Sequence, residues 1–398
     1  MIAKDQITYL DNNATTQLDP AVVEEMLPFL TECYGNPSGA YRFGMQVRKA
    51  IDLARERVAK LLDCDPEEIV FTSCGTESNN AAINSALHFE PHGKHLVTSA
   101  VEHSAVLRHA QELAKRGCEV TFLEVDSNGD VDLAQIEEVI RPDTAIVSMM
   151  WANNETGVLF PVEKIGEICR EKRVLFHTDA VQVAGKVLIR LRDSAINFLS
   201  LSAHKFHGPK GIGVLYVNKH SRFRSSVIGG SQENARRAGT ENVASIVALG
   251  KAAERATECL NEEMTRVRAM RDRFEKGILE ALSGALVNGG GATRLPNTSN
   301  FSFDGIESEA ALMLLDRHHL CCSAGSACRS GSHESSHVLR AMHGNDARTR
   351  GSLRFSYGRF NSEGDVDKAL EIVPQVIGKL RRLNSPVVSS QPANATRG

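Results

Sequence analysis

The feature that most constrains this chain is an alternation: over its first two-thirds, stretches with helical apolar spacing are separated by short β-branched runs. Strands buried on both faces read as near-continuous apolar runs, and the helices between them carry the chain back for parallel pairing. The runs lie at 68–72, 95–98, 119–123, 145–150, 174–177, 197–201 and 213–217. They predict an α/β domain built on one mainly parallel sheet of seven strands. A helical stretch over 243–283, with Ile246, Leu249, Leu260, Met264, Val267, Met270, Phe274, Ile278 and Leu279 on its apolar side, then bridges to a second domain. Strands at 298–303 and 351–355 with helices at 308–315 and 365–383 make that second unit a smaller α+β domain. The sequence Asn288-Gly-Gly-Gly291 reads as a turn, because no strand before it and helix after it frame a phosphate loop. The small, polar, proline-bearing tail 384–398 is expected to be disordered.

Composition narrows the function. The 398 residues are 42% hydrophobic and 24% charged, values of a soluble globular protein that exclude disorder throughout, a collagen and a membrane channel. Forty-six basic against forty-nine acidic side chains leave a net charge of -3, so there is no basic surplus to neutralise a phosphate backbone, and no nucleic acid is expected as a partner. No run approaches the roughly 18 to 20 apolar residues of a membrane span, and the start lacks a secretory core, so no membrane is expected and the protein reads as cytoplasmic. Nine scattered cysteines, with no Cys-x-x-Cys pair, argue against a disulfide framework and a zinc ribbon and leave room for a reactive thiol. Cys321 and Cys322, although histidines lie nearby, are not at metal spacing and are expected in the core.

Three strand ends carry chemistry. Residues 199–213 form a buried-strand pattern that runs into Ser202, His204 and Lys205 before a glycine-rich loop. Desolvation there lowers a lysine's pKa, as a Schiff-base lysine requires, and the hydroxyl and imidazole can hold a phosphate; an exposed loop lysine is the alternative. A second strand brings Asp179 to the carboxyl edge of the sheet, where open α/β sheets bind ligands, although such aspartates also cap helices. A third runs through Thr72-Ser-Cys into Gly75 and Thr76 at a helix start, a phosphate site or an ordinary helix opening.

Together these segments resemble the pyridoxal-phosphate enzymes of the aminotransferase-like fold, and their ordered set is most similar to the cysteine desulfurases. The resemblance rests further on Tyr9-Leu-Asp-Asn-Asn-Ala-Thr-Thr16, Gly35-Asn-Pro-Ser38, Val101-Glu-His103, Asn153-Asn-Glu-Thr-Gly157, Arg237-Ala-Gly-Thr-Glu-Asn242 and Ser323-Ala-Gly-Ser-Ala-Cys-Arg-Ser330, and it spans residues 7–383. It implies fold type I, with a large cofactor-binding domain over 15–255 and a small domain from 1–14 and 256–383 that carries the cysteine loop.

The resemblance implies pyridoxal 5'-phosphate as cofactor, Lys205 as its Schiff-base lysine and Asp179 as the group that keeps the pyridine nitrogen protonated. It implies His103 stacked on the ring as a proton shuttle, Gln182 near the phenolic oxygen and Asn154 beside cofactor and substrate. The phosphate falls to Gly75, Thr76, Ser202, His204 and, from the partner subunit of a homodimer, Thr240. Arg354 becomes the fork for the α-carboxylate of L-cysteine, and Cys328 the nucleophile that takes sulfur as a persulfide while the substrate leaves as alanine. The Ser, Ala and Gly around Cys328 favour a mobile loop, and Arg329 beside it can stabilise a thiolate. An iron–sulfur scaffold is the implied sulfur acceptor, with a metal cluster held only transiently through the Cys328 persulfide. Residues 305–309 and 332–342 look most like the nitrogen-fixation type, with the housekeeping type and a selenocysteine lyase as alternatives. The chain departs from the usual pattern at Ser231, Asn234, Ala324 and Arg329.

Overall fold

The seven apolar runs come together in one sheet. The structure, a computed structural model, describes residues 6–89, 94–324, 336–344 and 346–384. In chain order its strands are β1 (Thr8–Tyr9), β2 (Ile69–Thr72), β3 (His95–Ser99), β4 (Glu119–Leu123), β5 (Thr144–Met150), β6 (Leu175–Asp179), β7 (Phe198–Ser202), β8 (Gly213–Val217), β9 (Ala285–Val287), β10 (Thr298–Phe303), β11 (Leu320–Cys321) and β12 (Ser352–Ser356). The large sheet has the order β2-β8-β7-β6-β5-β3-β4. From β7 to β4 every pairing is parallel, and β8 runs antiparallel to both its neighbours.

Alternate residues of these strands feed two cores, as the two-residue period of a strand requires. Phe71, Val97, Val147, Leu199 and Val214 join the cluster on one face. Their neighbours Val70, Leu96, Ile146, Phe198 and Leu215 join the cluster on the other. Each such side chain, when fully buried, contributes roughly 1.5–3 kcal/mol, and a one-residue slip of register would exchange the side chains of the two cores and misfit both.

Two strand ends lie further on than the sequence reading put them, and both differences matter. β6 continues past 177 to Asp179 because its ladder does, pairing Asp179 with Met150 on one side and Ser200 on the other. β7 likewise reaches Ser202, which pairs with Gly213 of β8. Gly213 is small for a reason: a Cβ there would stand 2.7 Å from the Cys74 carbonyl carbon and 2.8 Å from the Leu201 oxygen.

The expected helix over 243–283 is interrupted. Helix Val243–Glu258 packs Ile246, Leu249, Ala252 and Ala256 into the first core. A short turn, Leu260–Glu262, and a π-helical turn, Glu263–Val267, follow, and helix Arg268–Ala281 then packs Met270, Phe274 and Ile278 into a third cluster. The π-turn's wider spacing rotates the apolar stripe, which leaves Met264 and Leu279, expected on the buried side, exposed.

That third cluster is built on a small antiparallel sheet, β12-β10-β9, with helices Ser308–Asp316 and Glu363–Asn384. The parallel pair β1 and β11 stands beside it, and Leu10 joins its core. Asn384, where the disordered tail was expected to begin, is the last residue of a helix, and the rest of that tail lies outside the described residues.

Candidate active site

The carboxyl ends of β2, β5, β6 and β7, with the turn after β3, surround a cavity of about 200 Å³. Gly75, Thr76, His103, Asn154, Asp179, Gln182, Ser202, His204 and Lys205 line it together. Helix Gly75–Phe89 opens there, so its first backbone N–H groups have no intrahelical partner and face the ligand space. Gly75 lets this helix start sit close to the turn after β6: an added Cβ would meet Val181 Cγ2 at 2.7 Å.

Lys205 ends a single 3₁₀ turn, Ala203–Lys205, directly after β7. Its Nζ donates to the carbonyl oxygens of Asn13 at 2.5 Å and Ala14 at 2.9 Å. Ser202, three residues before Lys205, is buried. His204 is pushed down to about 4, chiefly by burial and then by the charges of Lys205 and Lys210, so its ring is neutral and offers one N–H to a ligand.

Asp179 is 6% exposed and pre-oriented: its Oδ2 accepts from Asn79 Nδ2 at 2.7 Å and its Oδ1 from the Val181 N–H at 3.0 Å. Gln182 donates through Nε2 to the Asn13 carbonyl at 3.0 Å, while its Oε1 and the Oδ1 of Asn79 are buried without a hydrogen-bond partner among the described residues. Buried acceptors lining a cavity in this way call for a donor on a bound group. A helix start for a phosphate, a carboxylate for a ring nitrogen, unsatisfied amide oxygens and a lysine on one cavity fit pyridoxal phosphate.

His103 caps helix Ser104–Lys115, with Nδ1 accepting the Ala105 N–H at 3.2 Å. That bond assigns the neutral tautomer with its proton on Nε2. Burial holds the ring below the usual histidine range; the Asp179 charge opposes this, and Lys205 and His337 add to it. His103 thus presents a neutral ring with its N–H at Nε2. Beneath it, Glu102 is fully buried, accepts from Ser99 Oγ and the Met150 N–H, both at 2.8 Å, and is pushed up to about 8 by that burial.

Asn154 sits in a turn shaped by its neighbour: Asn153 Oδ1 accepts the N–H groups of Glu155 at 2.9 Å and Thr156 at 3.0 Å. Its carbonyl receives Arg354 Nη1 at 2.7 Å. Arg354 is buried: at 1% exposure on β12 it also donates through Nη2 to Asp11 Oδ1 at 2.6 Å, and its Nε has no partner among the described residues. It stands beside the cavity's wall and does not line the cavity itself. Thr240 does not line it either; it is exposed, between Gly239 and Glu241 of a separate cavity of about 110 Å³.

Cys328 and Arg329 lie outside the described residues. The flanks of that segment are described. Ser323 exchanges backbone hydrogen bonds with Arg354, at 3.1 and 2.7 Å, and its Oγ donates to Asp11 at 2.9 Å. Beyond it, Ser336 Oγ donates to Glu155, and His337 Nε2 lies 2.9 Å from the Glu102 carbonyl. Both flanks are therefore tied to residues next to the cavity. Asp11, Asn13 and Ala14 carry no expected role in the sequence reading although they lie in the motif of residues 9–16; the signal for them was a dense polar motif far from the lysine. Asn79, missed as well, lies one helical turn past Gly75 and so returns to the same face.

A family model for the aminotransferase class-V family matches residues 8–369. The chain is similar to cysteine desulfurase 2 of Trichormus variabilis, 51% identical over 97% of this chain and 96% of that protein. It is similar to the cysteine desulfurase NifS of Azotobacter vinelandii, 49% identical over 94% of each. Among solved structures, a NifS-like protein superposes with a TM-score of 0.88 at 37% identity, covering 94% of this chain and all of the other.

Proposed function

The chain belongs to the aminotransferase class-V family and within it to the cysteine desulfurases, and we propose that the cavity around Lys205 is where it converts L-cysteine to L-alanine. It is a pyridoxal-phosphate enzyme. The observation that carries the site assignment is the meeting of Lys205, Asp179, His103 and the Gly75 helix start on one cavity.

In this reading Gly75, Thr76, Ser202 and His204 hold the phosphate, Asp179 faces the ring nitrogen, and Gln182 and Asn154 satisfy its remaining polar edge. When bound, the cofactor supplies a protonated ring that takes up the electron pair left on the substrate's α-carbon. Arg354 holds the α-carboxylate. Lys205 Nζ takes the substrate's α-proton, and His103 serves as the proton shuttle beside it. The Cys328 thiolate attacks the substrate sulfur; an S–S bond forms, the C–S bond breaks, and the carbon fragment picks up a proton on its way to alanine.

Thr240 is assigned to the phosphate of a partner subunit, a reading favoured by its exposure away from its own cavity. The exposed Leu27, Leu30, Tyr34, Tyr41 and Met45 favour a homodimer too, as apolar surface of the sort an interface covers. The sulfur acceptor is an iron–sulfur scaffold protein that meets a cluster through the Cys328 persulfide, in a nitrogenase-related role in the cytoplasm. No helix among the described residues is long and apolar enough to cross a membrane.

The test is turnover of L-cysteine with a thiol reductant present. Alanine and sulfide in equal amounts are expected; selenocysteine turnover with negligible alanine from cysteine would favour the lyase reading instead. The carboxylate role of Arg354 has its own check. Arg354→Lys keeps the charge and loses the planar fork, and losing one charge-assisted hydrogen bond, worth roughly 1.5–3 kcal/mol, raises KM for L-cysteine about 10- to 100-fold. An unchanged KM in a folded variant would remove the arginine from the substrate site.

A further inference from the structure

Behind the cavity lies a buried cation to which the reaction as described gives no task. Lys186 is 5% exposed, at the end of the turn that follows β6. Its Nζ donates to the Gln182 carbonyl at 3.1 Å and to the Lys205 carbonyl at 3.3 Å. These oxygens belong to two different turns. One follows β6 and carries Asp179 and Gln182; the other follows β7 and carries Ser202, His204 and Lys205.

A buried ammonium is costly to desolvate, and an apolar side chain of the same length would fill the space without that penalty. The fold supports the charge from the far side. Glu263, 4% exposed in the π-helical turn that breaks the long helical stretch, shares with Lys186, Lys205, His207 and Arg359 the lining of a water-sized cavity of about 10 Å³. Burial brings Lys186 down to about 8, and the Glu263 charge pulls it back up. π-turns within helices occur often at functional sites, and this one brings the Glu263 carboxyl to the small cavity that Lys186 also lines.

We propose that Lys186 is a positioning residue for the desulfurase reaction: its ammonium ties the turns after β6 and β7 together and fixes the backbone from which the Lys205 side chain moves between cofactor and substrate. The assignment rests on the reading of Lys205 given above. Lys205 must change partners in each turnover, so its Cα has to stay in place while its Nζ moves. The clamp acts on the Lys205 main chain and not on its side chain. It also couples the spacing of Gln182 to that of Lys205.

Three proteins test this: wild type, Lys186→Met, and the double variant Lys186→Met with Glu263→Gln, which has no uncompensated buried charge. If Lys186 positions the turns, both variants bind pyridoxal phosphate with a visible band, keep KM for L-cysteine within about twofold, and lose about 10- to 100-fold in kcat, the range expected for an ångström-scale misplacement. The double variant should melt like wild type and still be slow. Wild-type kcat in either folded variant overturns the proposal, because the lysine would then only balance Glu263. A wild type that makes no alanine would fail the desulfurase reading instead, a result separable from the behaviour of the variants.

Discussion

Lys205→Ala is expected to leave a folded, colourless protein with L-cysteine turnover reduced by at least roughly 10³-fold, in line with what a positioned proton-transfer group contributes. Lys205 is only partly buried, and its described hydrogen bonds run to the Asn13 and Ala14 carbonyls rather than into a core. Its loss therefore removes little packing, and the melting temperature should move by a few degrees at most. The visible band that a lysine-bound cofactor gives should disappear, even with pyridoxal phosphate in excess. Asp179, Asn79 and the helix start at Gly75 stay intact in this variant, so residual binding of the free cofactor is expected by ultrafiltration. A coloured, active alanine variant would mean that another amine carries the cofactor.

Cys328→Ser should give the opposite separation. The cavity-lining residues are untouched, so the band stays and shifts when L-cysteine is added, while formation of a protein persulfide stops. A hydroxyl cannot accept sulfur as a thiolate does, and alanine formation should fall by about 10³-fold or more on the same scale as loss of any committed nucleophile. The described flanks favour this assignment: Ser323 is paired with Arg354, and His337 with the segment that carries His103. An unchanged sulfide yield in the serine variant would take the nucleophile's role away from Cys328.

Much of this architecture is legible in the chain because buried parallel strands must be apolar throughout, and because helices between them must start at the sheet's carboxyl edge. That logic alone brings Asp179, Ser202 and Gly75 to one edge, whichever side chain later proves to do the chemistry. Other parts have no local signature. Lys205 meets the Asn13 carbonyl across 192 positions of sequence, a contact decided by how the segment after β1 crosses the sheet edge. Asp11 grips Arg354 across 343 positions. The π-turn at Glu263–Val267 is equally hidden. Its apolar spacing continues that of a helix, and the break shows only when Met264 is found exposed. Local periodicity reports elements well, and it is silent on which elements share a seam.

The most direct test of the central claim is a single turnover without reductant, in which holoenzyme is mixed with L-cysteine and both alanine and protein persulfide are counted per protomer. The account predicts about one equivalent of each in the wild type, with the persulfide mapped to Cys328, and neither in Cys328→Ser, although its visible band still responds to the substrate. Alanine formed without persulfide, or in equal yield from the serine variant, would contradict it.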